Sequence, residues 1–422
     1  MKADLRCRAW TPTASWVVIV SFIFFWATSV SVRNTNAQEQ NEEKALIESL
    51  TVGAYYYPWY RSGDSRRGGR SEIGWMSQAL RGRLTPRQLR KLGVYDSRDP
   101  KVIGDHIAQS LRAGIDLWAV SWWGPGDRGD KTFRDHILKH PDAAKLKYAA
   151  LYESTGRLGS FDKPDYSNLI GDFEYLREHY FEHPSYLKMD GKPVVFVYLT
   201  RVYFRNQGLG ALAELREAFP NLYLIGDEVF GGRYREEYAE IWDAITAYDV
   251  YGQSVQIDGA TQAGVNRLRE NYANAKKLAG KSGSAFIPGI APGYNDRAVR
   301  KGHAGRPRYF TDQDGSREGD LFRAMIRDVA VPLADSRTNR TVMVTSFNEW
   351  YEDTQIEATL GEAETTSKDD SNTGKFYTEG DRYVDYGPLY LDILKKEKEA
   401  SLRLDAADLS VLFRDNEVAG EV

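Results

Sequence analysis

Eight short apolar runs, rich in β-branched and aromatic residues and each followed by a polar or aromatic cluster, restrict the fold of this chain more than any other feature. They are Val52 to Tyr57, Ile115 to Trp122, Tyr148 to Tyr152, Val194 to Tyr198, Leu222 to Gly226, Ala244 to Tyr248, Ala285 to Ile290 and Val342 to Phe347. Runs that stay apolar along their length are the pattern of strands buried on both faces. Helical segments with start and stop signals lie between most of them. Asp99-Pro100 opens one that runs to Ala113-Gly114. Others cover Asp172 to His183, Ala211 to Phe219, Glu236 to Trp242, Thr261 to Leu278 ahead of Gly280, Arg317 to Asp328 and, after the last strand, Leu389 to Ala400. Strand and helix alternating in this way predict an α/β chain folded as a single closed parallel (β/α)8 barrel of the TIM type over residues 51–400. The 422 residues, 42% hydrophobic, are enough to fill one.

The flanks read differently. Lys2, Arg6 and Arg8 precede the apolar stretch Trp16 to Val30, and Thr35-Asn36-Ala37 puts a small residue before Gln38. This is the layout of an export signal over residues 1–37, expected to be cleaved because the apolar run is short of the ~20 residues of a spanning helix, with an uncleaved amino-terminal anchor as the second option. Either form expects a chain that is secreted, periplasmic or tethered through residues 16–30. The only cysteine, Cys7, lies in that segment, so no disulfide is expected in the rest. Residues 38–50 form a linker and 401–422 a tail. Two long polar segments, Arg61 to Gly74 after strand one and Gly361 to Asp381 after strand eight, are expected to lie over the carboxyl-end face as loops or lids.

Residues that end the strands of a barrel share one rim. Here they are Tyr57, Trp59 and Tyr60, Trp122 and Trp123, Glu153, Tyr198, Asp227 and Glu228, Tyr248 and Tyr251, Tyr294 to Asp296, and Asn348, Glu349 and Glu352. Nearly all are aromatic or acidic. Flat rings with polar handles suit sugar faces edged with hydroxyls.

The eighth run changes character within two residues, in V-M-V-T-S-F-N-E-W-Y-E-D-T-Q-I-E from Val342. If the chain turns helically after Phe347, Glu349 and Glu352 stand three apart on one face, with Cβ atoms roughly 5–6 Å from each other. Two carboxylates at such range, between aromatics, suit glycosidic bond cleavage, one protonating the leaving oxygen and one supporting the anomeric carbon.

Other chemistries find less support. A net charge of −4 with dispersed Lys and Arg gives no nucleic-acid surface. There is no HExxH, GxSxG elbow, Walker loop or dinucleotide fingerprint. His179 and His183, an i,i+4 pair, fit a solvated helix face better than a metal site. No cofactor and no metal are expected.

On these residues the chain resembles glycoside hydrolase family 99, the endo-α-mannosidases. The matching stretches are A-Y-Y-Y-P-W-Y from Ala54, L-G-V-Y-D-S-R-D-P from Leu92, A-G-I-D-L-W-A-V-S-W-W from Ala113, D-G-K-P-V-V-F-V-Y from Asp190, P-G-I-A-P-G-Y-N-D from Pro288 and, most specific, S-F-N-E-W-Y-E-D-T-Q-I-E from Ser346. The resemblance implies a (β/α)8 barrel that cleaves inside α-mannose-containing glycans, including α-1,2 linkages, with retention at the anomeric carbon. It implies Glu352 as general acid and base and Glu349 as the carboxylate that takes the proton of the substrate's 2-hydroxyl while that oxygen attacks C1. Asn348 would orient Glu349 or the sugar, and Glu153, Tyr57, Tyr198 and Tyr294 would line the subsite; Tyr60, Trp122, Trp123 and Tyr248 complete the expected aromatic trough. Two positions depart from the family's E-W-H-E pattern: Tyr351 replaces the histidine, and Asp353 replaces the glycine that follows, which would add a third charge. Two alternatives remain at this point, a glycosidase with its acid on strand four and its nucleophile on strand seven, and a non-catalytic glycan-binding or surface-polysaccharide assembly protein on the same barrel.

Overall fold

The computed structural model describes residues 50–62, 74–206, 208–231, 241–252 and 258–402. The expected leader, the linker up to residue 49, most of the loop after strand one, the helix expected at Glu236 to Trp242 as far as residue 240, and the tail from residue 403 lie outside them.

All eight strands form where the apolar runs place them. They are β1 (Thr51–Tyr56), β2 (Leu117–Trp122), β3 (Lys147–Tyr152), β4 (Lys192–Val197), β5 (Tyr223–Asp227), β6 (Ala244–Thr246), β7 (Ala285–Ile287, continued by Gly289–Ile290) and β8 (Thr341–Val344). Each pairs in parallel with its sequence neighbour, and β1 pairs with β8 in the register Thr51↔Thr341, which closes the cylinder. The seventh run is not one strand as expected. Pro288 has no N–H to give to a ladder, so the first half of β7 pairs with β6 and the second half with β8.

Alternate residues of each strand divide between two hydrophobic clusters. Tyr55, Leu117, Ala119, Leu151, Phe196, Ile225, Ile287 and Met343 fill the cylinder. Tyr56, Trp118, Val120, Trp122, Tyr152, Val197 and Phe286 face outward to the helices. This period of two, buried on both sides, is what the continuous runs encode. The interior is tight at Gly53, where a Cβ would meet Met343 Sδ at 2.3 Å and Leu117 Cδ1 at 2.9 Å.

The outer layer follows its caps. α1 (Pro100–Ala113) starts on Asp99, whose side chain accepts from the Lys101 N–H, and ends on Gly114 at φ 73°. α2 (Leu169–His179) and α3 (Gly208–Ala218) follow β3 and β4, and α4 (Gln262–Lys281) starts on Thr261, which accepts from the Gly264 N–H. A last helix spans 389–402. No helix of the described residues is long and apolar enough to cross a membrane.

The segment Gly361 to Asp381 is built onto the barrel. Bridges join Thr366 to Tyr383 and Leu84 to Asp369, and the Asp369 carboxylate accepts from the N–H groups of Ser371, Tyr377 and Thr378 at 3.0, 2.7 and 3.1 Å. It braces the loop after β7, where Asn295 Nδ2 donates to the Tyr377 carbonyl at 2.9 Å.

Candidate active site

The stretch beyond β8 is a clasped loop, not the helix its ExxE spacing suggested. Ser346 and Thr354 close its base: the Ser346 N–H donates to the Thr354 carbonyl at 2.8 Å, and their hydroxyls meet at 2.9 Å. Residues 350–353 then form a turn, with Asp353 in the left-handed region at φ 50°. That backbone explains why glycine suits the position. The Glu349 N–H donates to Ser346 Oγ at 2.7 Å, and Glu349 Oε1 accepts from the Tyr351 N–H at 2.9 Å.

Both carboxylates still reach one place. Glu349 and Glu352 line a cavity of about 570 Å³ at the carboxyl ends of the strands, with Tyr57, Trp59, Trp123, Glu153, Tyr198, Tyr248 and Tyr351. An adjoining hollow of about 200 Å³ shares Tyr198, Tyr248, Arg300 and Glu352 with it and adds Asp249, Tyr251, Tyr294 and His303. Glu352 therefore stands where the two spaces meet.

The electrostatics of the pair are unequal. Burial, reinforced by the charge of Glu352, pushes Glu349 well above the usual carboxyl range. Burial also raises Glu352, but Arg300 pulls against it, with Nη1 donating to Glu352 Oε1 at 2.8 Å. Arg300 is held in turn by Asp296 Oδ2 at 2.8 Å, which His303 Nδ1 reaches at 2.9 Å. Glu153, buried and accepting from Ser121 Oγ at 2.6 Å, is pushed up to about 8, chiefly by burial. Carboxyl groups that interact across one cavity titrate together. Such a set holds a proton near neutral pH.

Tyr57, Trp123, Glu153, Tyr198, Tyr248, Tyr294, Glu349 and Glu352 thus come together around the two spaces, while Tyr60, Trp122 and Asn348 do not line them. Trp122 has the outward parity of β2, stacks on Tyr152 and donates from Nε1 to Asp130 Oδ1 at 2.9 Å; Trp123, one residue on, faces the cavity. Tyr60 is buried beneath the floor, its hydroxyl donating to the Asn348 carbonyl at 2.7 Å. Asn348 is buried away from both spaces and is not hydrogen-bonded through its amide to Glu349. Its Oδ1 accepts from the Tyr57 N–H at 2.7 Å and its Nδ2 donates to the Tyr57 carbonyl at 3.0 Å, tying the end of β1 to the end of β8. Tyr57 is thereby set against Tyr248, with which its hydroxyl is hydrogen-bonded. Asp227 is a staple too, accepting from the Tyr248 and Leu199 N–H groups at 3.0 Å each.

Asp353 adds no charge to the cavity. It is buried between Arg81 Nε at 2.7 Å and Arg308 Nη2 at 3.3 Å; burial alone would raise it, but the two guanidiniums hold it below the ordinary carboxyl range. Tyr351, the other departure, does line the cavity, its ring 6.5 Å from that of Trp59. Glu357 is buried as a hub for His106, Tyr95 and Trp350 at 3.2, 2.9 and 2.8 Å. Arg300, His303 and Asp249 were missed from sequence; only the D-x-x-x-R spacing of Asp296 and Arg300 hinted at the first. His179 packs on the Tyr175 ring and His183 accepts from the Ser185 N–H, so the two do not converge. Among the described residues no group of three or more His, Cys, Asp or Glu could hold a metal ion.

Comparison with known proteins adds to this geometry. A family model described as Glycosyl hydrolase family 99 matches residues 51–393. The chain is 24% identical over 412 residues to the glycoprotein endo-alpha-1,2-mannosidase of Mus musculus, covering 88% of this chain and 79% of that protein. It is 24% identical over 396 residues to the glycoprotein endo-alpha-1,2-mannosidase-like protein of Homo sapiens, covering 84% and 77%. Among solved structures, the family 99 endo-alpha-mannosidase of Bacteroides thetaiotaomicron matches with a TM-score of 0.59 at 22% identity, over 85% of this chain and 98% of that one. At that identity the likeness carries the fold.

Proposed function

The chain belongs to glycosyl hydrolase family 99 and is a glycosidase, and from that premise we propose that it is a retaining, endo-acting α-mannosidase that works through Glu349 and Glu352. The observation that carries this reading is the placement of both carboxylates on one aromatic-walled cavity at the carboxyl-end mouth of the barrel. In the first step Glu349, which must be ionised here although burial favours its protonated form, takes the proton of the substrate's 2-hydroxyl, and that oxygen attacks C1. The bond from C1 to the leaving oxygen breaks, and Glu352 gives that oxygen a proton. Water then opens the 1,2-anhydro sugar at C1, its proton passing to Glu352, while the 2-oxygen recovers the proton held by Glu349. Two inversions leave the anomeric configuration as it began.

Glu352 must carry its proton when the leaving oxygen departs. In the resting cavity Arg300 favours its ionised form, so the acid role asks that the guanidinium turn away from Glu352 when the glycan binds. Tyr57, Tyr198, Tyr248 and Tyr294 supply hydroxyls and ring faces for a mannose on either side of Glu352. The relatives are named as endo-alpha-1,2-mannosidases, which supports an α-mannose-containing oligosaccharide or polysaccharide as substrate. The apolar stretch Trp16 to Val30 supports export, with the segment removed or kept as a tether.

Nothing favours the alternatives. β4 ends in Tyr198-Leu199-Thr200 without a carboxylate. The non-catalytic barrel expected one glutamate out of place, and both face the cavity. Proton NMR of the first product released from an α-mannan oligosaccharide tests the reading. It expects the α-anomer and internal cleavage; first-formed β-anomer, or mannose released only from chain ends, overturns it.

A further inference from the structure

The hairpin that follows β3 carries a residue its own geometry does not ask for. Gly159–Ser160 pairs antiparallel with Lys163–Pro164 in the register Gly159↔Pro164 and Ser160↔Lys163, which leaves Phe161-Asp162 as a two-residue turn. Such turns select Gly, Asn and Asp, and a phenylalanine at the first position meets no need of the turn. Nor does Phe161 serve the core, for it is 59% exposed. Four large hydrophobic residues are exposed among the described residues: Leu111, Phe161, Val299 and Leu360. Two of them, Phe161 and Val299, stand on the cavity that holds Glu349 and Glu352, and they come from separate loops, after β3 and after β7. The hairpin is also held in place. The Tyr203 hydroxyl donates to the Gly159 carbonyl at 3.0 Å, the Asp165 N–H donates to the Leu158 carbonyl at 2.9 Å, and the Phe161 ring lies 5.4 Å from that of Tyr203.

We propose that Phe161 is the platform of a further sugar-binding subsite, which takes the C–H face of a pyranose at least one unit beyond the residues joined by the bond that is cut. A ring that rests on Tyr203 yet stays 59% exposed on the cavity leaves apolar surface for a ligand to cover. A pyranose ring has one apolar face to offer and hydroxyls left over for the carboxylates deeper in the cavity. The inference rests on the reading of the site as an α-mannosidase. It adds that the cleft is built for a chain longer than a disaccharide and that binding energy spent at Phe161 sets the preference for such chains.

The test is a length series of α-mannan oligosaccharides, from the disaccharide upward, compared as kcat/KM for the parent chain, Phe161→Ala and Phe161→Trp, with Leu111→Ala on α1 as the control. In the parent kcat/KM rises with length. In Phe161→Ala the ratio of long-chain to short-chain kcat/KM falls about fivefold, equivalent to about 1 kcal/mol; Phe161→Trp keeps a flat ring and holds the ratio within about twofold of the parent. Leu111→Ala leaves the ratio unchanged. If Phe161→Ala keeps the parent's ratio, or loses the same factor on every length, the platform is wrong while the α-mannosidase reading stands. If the parent turns over no α-mannoside of any length, that reading fails and takes the platform with it.

Discussion

Arg300 and Glu352 form an ion pair at 2.8 Å at the junction of the two spaces, and the same guanidinium nitrogen holds Asp296 at 2.8 Å. A cation in contact with a carboxylate favours its charged form. Removing the cation therefore raises the pKa of Glu352, which burial has already moved upward. A general acid works only while protonated, so Arg300→Gln extends activity to higher pH. The alkaline limb of the kcat/KM profile is expected to move up by roughly one pH unit. An alkaline limb that stays in place, or moves down, contradicts the pairing as the control on Glu352.

Glu153 links the same cavity to stability. Its folded pKa of about 8 lies above the unfolded value of 4.5. The folded state therefore binds the proton more tightly, and stability falls as pH rises from the unfolded value toward the folded one. Glu153→Gln keeps an oxygen for Ser121 Oγ and removes that cost. Thermal unfolding should show the variant more stable than the parent by on the order of a few kcal/mol near pH 8, with no gain near pH 4.5. Equal gains at both pH values would mean that packing, not ionisation, separates the two chains.

Asp353 is the anion between two buried cations, and Asn at that position keeps the tolerance for φ 50° while losing the charge. Arg81 and Arg308 would then lose the carboxylate they both contact. Urea unfolding of Asp353→Asn should show a loss of about 3 kcal/mol. Both guanidiniums also feel the charge of Glu318, Arg81 lies 5.0 Å from the Tyr386 ring, and Arg308 lies 5.1 and 4.8 Å from the Tyr386 and Tyr390 rings; a loss near zero would show that these groups suffice to hold them.

The barrel was legible because strands buried on both faces leave continuous apolar runs, and all eight runs became strands. What escaped was set by partners far away in sequence. The ExxE stretch is a turn, not a helix, because Ser346 and Thr354 close it and Asp353 takes the left-handed backbone; neither contact shows in a spacing. Trp122 and Trp123 are neighbours of the same type, and only strand parity decides that the second reaches the cavity. Asn348 looked like a ligand for its neighbour Glu349, whereas its amide pairs with Tyr57, far earlier in the chain. Arg300 sits in an irregular loop without periodicity, and Phe161 in a hairpin whose strands are two residues long, too short to leave a pattern.

The central claim is the division of labour between Glu349 and Glu352, and leaving-group dependence tests it most directly. Rates of Glu352→Gln and Glu349→Gln would be compared on two α-mannosides with the same glycon, one an oligosaccharide and one a fluoride whose departure needs no proton. Glu352→Gln should lose about 10²- to 10⁴-fold on the oligosaccharide and recover most of it on the fluoride, while Glu349→Gln stays slow on both. An oligosaccharide cleaved by Glu352→Gln at the parent's rate, or rescue of Glu349→Gln alone by the fluoride, would contradict the account.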